Sequence, residues 1–430
     1  MNVSLGLDKK EQSAMQAGLA ASPFEKLLLK KIHRSIGQAP IRLGLSREEF
    51  LPPDRASMES VVIHDLRALA RMVLDPEIGF GDAYMQGRIE VKGDLVHALE
   101  VVFRAMHTIR KRSWYYRLFS SWLQYVQANT LDGSASNIHD HYDLDEEFYK
   151  LWLDSRLVYT CAYFPTPSTT LEESQLAKME HVCRKVQLRS GEKVVDAGCG
   201  WGALALHMAK HYGVTVKAFN ISREQIHYAR TQAKREGLAG RVEFVEDDYR
   251  NISGRFEAFV SVGMLEHVGR EHYSELGRII HRTIGDSGRG LIHFIGRNRP
   301  EPFSAWIRKR IFPGAYCPSL REAMDIFEAH EYAVLDVENL RLHYAKTLEH
   351  WLARYERSAE RVSEMFGDEF VRAWRLYLAG SIASFRTGLL QLFQIVFAGS
   401  ACQQIPWTRA YLYDGEERVE KESRWTHAAS

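Results

Sequence analysis

The distribution of apolar and polar positions divides the chain into stretches of different character. Between residues 194 and 296, short apolar runs alternate with longer segments of helical spacing. VVDAG (194–198) is the first such run, and ALALHMAKHYG after it has the periodicity of a helix. VTVKAFN (214–220) precedes the helical SREQIHYARTQAKREGL, which ends at Gly237. RVEFVEDDY (241–249), FEAFVSVG (256–263), a helix through 271–284 and GLIHFIG (290–296) continue the alternation. Strands separated by helices of this length predict βαβ units and a parallel sheet. From 340 to 398 the pattern reads as mostly helical, in LRLHYAKTLEHWLARY and EFVRAWRLYLAGSIASFRTGLLQLFQIVF, and predicts cap helices after the sheet. Ahead of the sheet, ANTLDGSASN (128–137) is small, polar and turn-rich, as a linker should be.

Length and composition refine this division. A chain of 430 residues, 45% hydrophobic and 26% charged, predicts more than one domain and a sizeable core. A net charge of +1 supplies no global field for nucleic acid. The five cysteines, at 161, 183, 199, 317 and 402, form no C-x-x-C pair, which argues for a reducing cytoplasm and against a disulfide framework or zinc site. His139 and His141 have metal-like spacing but no matching cluster, so no metal is expected. The N-terminus has no signal-peptide core, and no apolar run approaches the ~20 residues of a membrane span. The expectation is a soluble protein free to lie against a membrane.

VVDAGCGWG (194–202) carries the chemistry. A strand ends at Asp196, and Gly198, Gly200 and Gly202 precede a helix, allowing a tight turn and close approach of backbone to a ligand. The D-x-G-x-G-x-G spacing is that of S-adenosylmethionine methyltransferases. A nicotinamide or nucleotide-sugar enzyme is the competing reading, but the second strand ends Phe219-Asn220 with no acidic residue.

Together with NIHDHYDLDEEFYKLWLD (137–154), LVYTCAYF (157–164), SVGMLEHVG (261–269), LIHFIG (291–296), RIFPGAYCPS (310–319) and HYAKTLEHW (343–351), this motif gives the chain its resemblance to a known family. The sequence resembles the cyclopropane-fatty-acid-phospholipid synthases and the related mycolic acid cyclopropane synthases and methyltransferases over roughly residues 137–400. The resemblance implies a class I methyltransferase fold, α/β and Rossmann-like. Its seven-stranded, mostly parallel sheet would carry a helical cap and span 138–430. A smaller mixed α/β domain, 1–127, would precede the linker. GFGDAYMQG (79–87) looks like part of the extra domain of the phospholipid-acting members.

Site roles follow from the same resemblance. Tyr159 and Thr160 would touch the methionine part of S-adenosylmethionine, and Asp196, Gly198 and Gly200 its methionine and ribose end. Gln225 matches the glutamine that holds the ribose hydroxyls. Asn220 stands where the family usually has threonine and can still hydrogen-bond. Asp248 and Tyr249 fall where family members contact adenine. Cys161, Glu266, His293, Ile295 and Tyr344 match the lining of a small bicarbonate pocket. The chemistry wants such a pocket. An alkene attacks the sulfonium methyl, a carbocation develops, and a proton must leave the transferred methyl before the ring closes. A carboxylate base could trap the cation as an ester, whereas a bound bicarbonate can take the proton. The plainer readings are a buried apolar Cys161, a satisfied core His293 and an ordinary helix start at Glu266-His267.

The implied substrate is an unsaturated phospholipid at the inner membrane surface, reached by a peripheral enzyme, with a homodimer suggested by family alone. EKLLLKKIHR (25–34), IRKRSWYYRLFSSWLQYV (109–126) and AWIRKRIF (305–312) mix basic and large apolar residues and are candidate membrane contacts, the last nearest the expected acyl tunnel. Two other functions compete. A sister methyltransferase would share the first step and leave a methyl or methylene branch, as in ten-methyl or furan fatty acids. A lipid-binding protein would carry a degenerate cofactor site, which the intact Asp196, Gly198, Gly200 and Gln225 oppose.

Overall fold

The structure, a computed structural model, describes residues 22–45, 50–51, 59–110, 145–301 and 303–413. The expected linker, the histidines 139 and 141, and residues 111–126 of the second candidate membrane segment lie outside them. The described residues group into two compact units.

In the N-terminal unit, β1 (Arg42–Leu45), β2 (Phe50–Leu51), β3 (Ser60–Ile63) and β4 (Ile89–Lys92) form a sheet in the order β2-β1-β3-β4. Only β1 and β3 run parallel. Helix Pro23–Ser35 starts at a capping box between Ser22 and Glu25, and Asp75 caps helix Pro76–Met85, whose first residue is proline. Leu29, Ile32, Leu43, Ile63, Leu69 and Ile89 fill the core.

This unit also takes in Ser304–Ile311 and Tyr355–Thr387. The sequence places helix Asp368–Thr387 among the cap helices of the sheet, yet it clusters with the N-terminal elements. AWIRKRIF does the same, and its large apolar residue faces inward. Trp306 is 4% exposed and lies over Gly81 of the GFGDAYMQG motif, where a Cβ would meet the indole at 2.3 Å. Arg310 donates to both oxygens of Asp82 at 3.0 and 2.9 Å. Trp306 is therefore a packing residue of the unit, while Lys309 and Arg310 stay exposed.

The second unit holds the expected sheet. β5 (Lys193–Ala197), β6 (Thr215–Asn220), β7 (Val242–Glu246), β8 (Ala258–Val262), β9 (Arg289–Gly296), β10 (Ala333–Asn339) and β11 (Gln391–Ala398) lie in the order β10-β11-β9-β8-β5-β6-β7. β5 to β9 are mutually parallel, and β11 runs antiparallel between β9 and β10. The crevice at the carboxyl ends of β5 and β8, where the order reverses direction, is where an open α/β sheet binds its ligand.

The last expected helix is shorter than its apolar pattern predicts. LQLFQIVFA reads in sequence as the end of that helix, but Gly388 adopts φ +78° and the chain continues as β11, buried along its whole length. A short continuous apolar run carries no period to separate a fully buried strand from a buried helix.

Candidate active site

VVDAGCGWG folds as the sequence predicts. β5 ends at Ala197, and Gly198, Gly200 and Gly202 have φ of +84°, +53° and +86° before helix Ala203–Tyr212 begins. At Gly202 a Cβ would meet Phe244 at 2.7 Å and Ala229 at 2.8 Å. The Gly198 and Cys199 amides both donate to the Phe219 carbonyl, tying the turn to the end of β6.

This turn forms one wall of a cavity of about 140 Å³. Tyr159, Thr160, Asp196, Gly198, Gly200, Asn220 and Gln225, all expected cofactor residues, line it together. Asn220 Nδ2 donates to Gln225 Oε1 at 2.6 Å and to the Gly200 carbonyl at 3.3 Å, so one side chain joins the glycine turn to the next helix. Asp196 is 1% exposed, and its Oδ2 has no hydrogen-bond partner among the described residues. Burial pushes its carboxyl up to about 7, opposed by the charge of Lys178. Asp248 and Tyr249 lie outside the cavity wall. Asp248 caps a short turn of helix and pairs with Arg250, while the Tyr249 ring is buried with the Arg250 guanidinium 5.0 Å over its face.

The second wall is the irregular segment 157–164, held by side chains. Asp154 accepts from the amides of Arg156 and Val158, and Leu157 takes φ +55°. Gln175 donates to the carbonyls of Val158 and Thr160, and Thr347 accepts from the Ala162 amide. The Cys161 thiol is fully buried and donates to the Ala162 carbonyl at 3.1 Å. Burial moves it far above the ordinary thiol range, so it is no thiolate nucleophile.

Sequence reasoning missed the helix behind this segment. Leu171–Val186 buries Ser174, Lys178, His181 and Lys185, each under 5% exposed. Their spacing of four, three and four residues puts them on one helix face, where a core would hold apolar side chains. That polar stripe is the signal that could have found them. Lys178 Nζ donates to Thr160 Oγ1 at 3.0 Å and lines the cavity. Burial brings it down to about 8, with Asp154, Cys161 and Asp196 pulling the other way. Trp201, from the same glycine motif, and His267 also line the cavity, and no sequence motif gave them a role.

β9 carries His293 and Ile295, and the turn after β8 ties Glu266 to the same strand. The Ile295 amide donates to Glu266 Oε1 at 2.6 Å, and Ile295 stands two residues beyond His293, on the same face of the strand. Glu266 Oε2 and His293 Nε2 are both buried with no hydrogen-bond partner among the described residues. Burial raises Glu266 to about 7 and lowers His293 to about 3, the latter helped by Lys178 and Lys185. Tyr344 is 8% exposed and meets Trp351 edge-on at 6.0 Å. Trp351 also touches Tyr159 at 5.4 Å and Trp152 at 5.5 Å, so one aromatic cluster links Tyr344 to the cavity wall.

A sequence profile of the mycolic acid cyclopropane synthetase family matches residues 129–395. A probable fatty acid methyltransferase of Pseudomonas putida is 34% identical over 389 residues, covering 87% of this chain and 96% of that one. The cyclopropane-fatty-acyl-phospholipid synthase of Escherichia coli is 36% identical over 260 residues, 60% of this chain and 66% of the other. The crystal structure of a mycolic acid cyclopropane synthase bound to S-adenosylhomocysteine and a long-chain ammonium detergent superposes with a TM-score of 0.59 at 28% identity. It covers 63% of this chain and 99% of that one. With this fold, this glycine turn and this cavity, the chain belongs to the mycolic acid cyclopropane synthetase family and is an S-adenosylmethionine-dependent methyltransferase.

Proposed function

We propose that the protein transfers the methyl group of S-adenosylmethionine to the cis double bond of an unsaturated phospholipid acyl chain and closes the product to a cyclopropane ring. The alkene carbon forms a bond to the sulfonium methyl, and S-adenosylhomocysteine leaves with the electron pair of the broken carbon–sulfur bond. The resulting carbocation lies among aromatic faces, of which Tyr159 and Trp201 line the cavity in this chain and Trp351 packs on Tyr159; such faces stabilise a cation without capturing it. Loss of a proton from the transferred methyl then allows ring closure.

The observation that carries ring closure is the pair of orphaned buried atoms, Glu266 Oε2 and His293 Nε2. An acceptor and a ring nitrogen left without partners in a dry interior fit a small anion that both donates and accepts hydrogen bonds. Bicarbonate is such an ion, and when bound it supplies a general base too weakly nucleophilic to trap the cation. Glu266 and His293 would hold it, Ile295 fixes Glu266 through its amide, and Cys161 and Tyr344 would close the pocket.

A second reading has its own support. The Pseudomonas putida relative aligns over most of both chains, and it is described as a fatty acid methyltransferase. A methyl- or methylene-branched product would share every residue of the first step.

A phospholipid substrate calls for work at a bilayer surface, on the cytoplasmic side. Helix Pro23–Ser35 suits that role, because Phe24 and Leu27 are 64% and 62% exposed beside Lys30, Lys31 and Arg34. Among the described residues no helix is long and apolar enough to cross a membrane. Incubation with S-adenosylmethionine and cis-monounsaturated phospholipid vesicles, followed by mass spectrometry before and after mild hydrogenation, tests the whole reading. A product one methylene heavier that resists hydrogenation is expected. An equally heavier product that takes up hydrogen moves the assignment to the branched alkene.

A further inference from the structure

His293, Gln394 and Glu338 stand side by side in one row across three strands. Gln394 of β11 pairs directly with His293 of β9 on one side and with Glu338 of β10 on the other. Side chains of directly opposed residues share one face of a sheet, so the three meet over the same surface. Helix Leu171–Val186 lays its polar stripe onto that row. Lys185 Nζ donates to Gln394 Oε1 at 2.8 Å and to Glu338 Oε2 at 2.5 Å, and His181 Nε2 lies 2.8 Å from the same Glu338 oxygen. The chain of contacts ends at the ring of His293, where Gln394 Nε2 lies 3.0 Å from Nδ1.

The chemistry of the donors fixes the direction of every bond. Burial pulls Lys185 below the usual lysine range, but the Glu338 carboxylate against it holds the ammonium form. Burial alone would raise Glu338, yet His181 and Lys185 outweigh it and bring the carboxyl to about 2. An ammonium group only donates, so the Gln394 atom facing it is the amide oxygen. The amide nitrogen therefore faces His293, and an amide NH₂ also only donates. Nδ1 must then be the bare, accepting nitrogen of a neutral imidazole, and the ring proton sits on Nε2. An imidazolium would set N–H against N–H at the Gln394 contact.

We propose that Gln394, oriented by Lys185 and Glu338, is a positioning residue that locks His293 as the Nε2–H tautomer, so that His293 serves this enzyme as a hydrogen-bond donor and not as a base. The orphaned Nε2 is then a proton-bearing donor directed away from Gln394, available to an anionic oxygen. This assignment rests on the reading of His293 as a ligand of a small anion, and it adds which atom donates and what enforces it. It also divides the roles of the pair, because Glu266 Oε2 is left as the acceptor.

The test begins with the unaltered protein. Labelling with ¹⁵N-histidine and a long-range ¹H–¹⁵N spectrum, with His293 assigned by its loss in His293→Phe, reports which ring nitrogen is protonated. The Nε2–H pattern is expected from pH 6 to 8, and an Nδ1–H or imidazolium pattern would overturn the proposal. Gln394→Glu turns the donor into an acceptor, and should move the proton to Nδ1 and lower kcat about tenfold or more with the KM for S-adenosylmethionine held within about twofold. Lys185→Met, which frees the Gln394 amide to turn over, should give a mixed tautomer and an intermediate kcat. A reversed tautomer with kcat unchanged would also overturn the role. The spectrum needs no turnover, so it stays readable even if the acyl substrate or the anion is misassigned.

Discussion

Asn220 and Gln225 face each other across the mouth of the glycine turn, with the asparagine amide donating to the glutamine oxygen at 2.6 Å. That bond occupies Gln225 Oε1 and leaves its amide nitrogen as the group that can turn toward the cavity. Asn220→Ala removes the donor and frees the Gln225 side chain. We expect S-adenosylhomocysteine affinity to fall about tenfold, equivalent to ~1.4 kcal/mol. Asn220→Thr can still reach Gln225 through its hydroxyl and should lose less. Titration calorimetry of both variants checks the order.

Lys178 is the cation whose charge opposes the effect of burial on the Asp196 carboxyl. Replacing it with methionine should push that carboxyl above its present position near 7, so that more of it is protonated at neutral pH. Cofactor affinity in the parent should rise as pH passes upward through about 7, as the Asp196 carboxylate forms. In Lys178→Met the same rise should be displaced to higher pH. Binding measured between pH 6 and 9 separates the two curves, and identical midpoints would remove Lys178 from the account.

Glu266 stores a pH-dependent cost. Its carboxyl is raised from 4.5 to about 7 in the folded protein, with burial the main cause. Between those values the folded state holds a proton that the unfolded chain has released, so stability falls as pH rises through this window. Glu266→Gln removes the ionisation and can still accept from the Ile295 amide. The variant should match the parent near pH 4.5 and exceed it above pH 7, by an amount on the order of 3 kcal/mol. Denaturant unfolding at both pH values checks the sign, and loss of ring closure should accompany the gain.

The glycines of the turn should not respond alike to alanine. At Gly200 nothing lies within 4 Å of where a Cβ would stand, so only the left-handed backbone resists, at roughly 1–2 kcal/mol. Gly202 adds contacts of 2.7 and 2.8 Å with Phe244 and Ala229, both in the core. Gly202→Ala should therefore unfold at clearly lower denaturant than Gly200→Ala, whereas Gly200→Ala should show its effect mainly in cofactor affinity.

Much of the fold and much of the cavity's lining were legible because their signals are local. β5 to β9 announce themselves as apolar runs with helices between, and Asp196, Gly198, Gly200 and Gln225 belong to short motifs that fold where they stand. What escaped depends on distant partners. β11 is buried on both faces and has no apolar period of its own. AWIRKRIF has the composition of an interface helix, and only the cleft beside Gly81 turns Trp306 into a core residue. Lys178, His181 and Lys185 look like the solvated face of a helix until Asp196, Glu338 and Gln394 are brought to them from other parts of the chain.

The position of β11 in the sheet has a consequence for how the enzyme is made. Of the seven strands it is the last to leave the ribosome, yet it must enter between β9 and β10, both synthesised earlier. Domains fold as units while their chains emerge, and long-range strand pairing is slow. The sheet that carries the glycine turn is therefore incomplete until residue 394 and its neighbours appear, and the edge of His293 gains its Gln394 partner only when β11 docks. A chain interrupted shortly before that point would lack the strand that joins β9 to β10, and with it the Gln394 contact to the His293 ring.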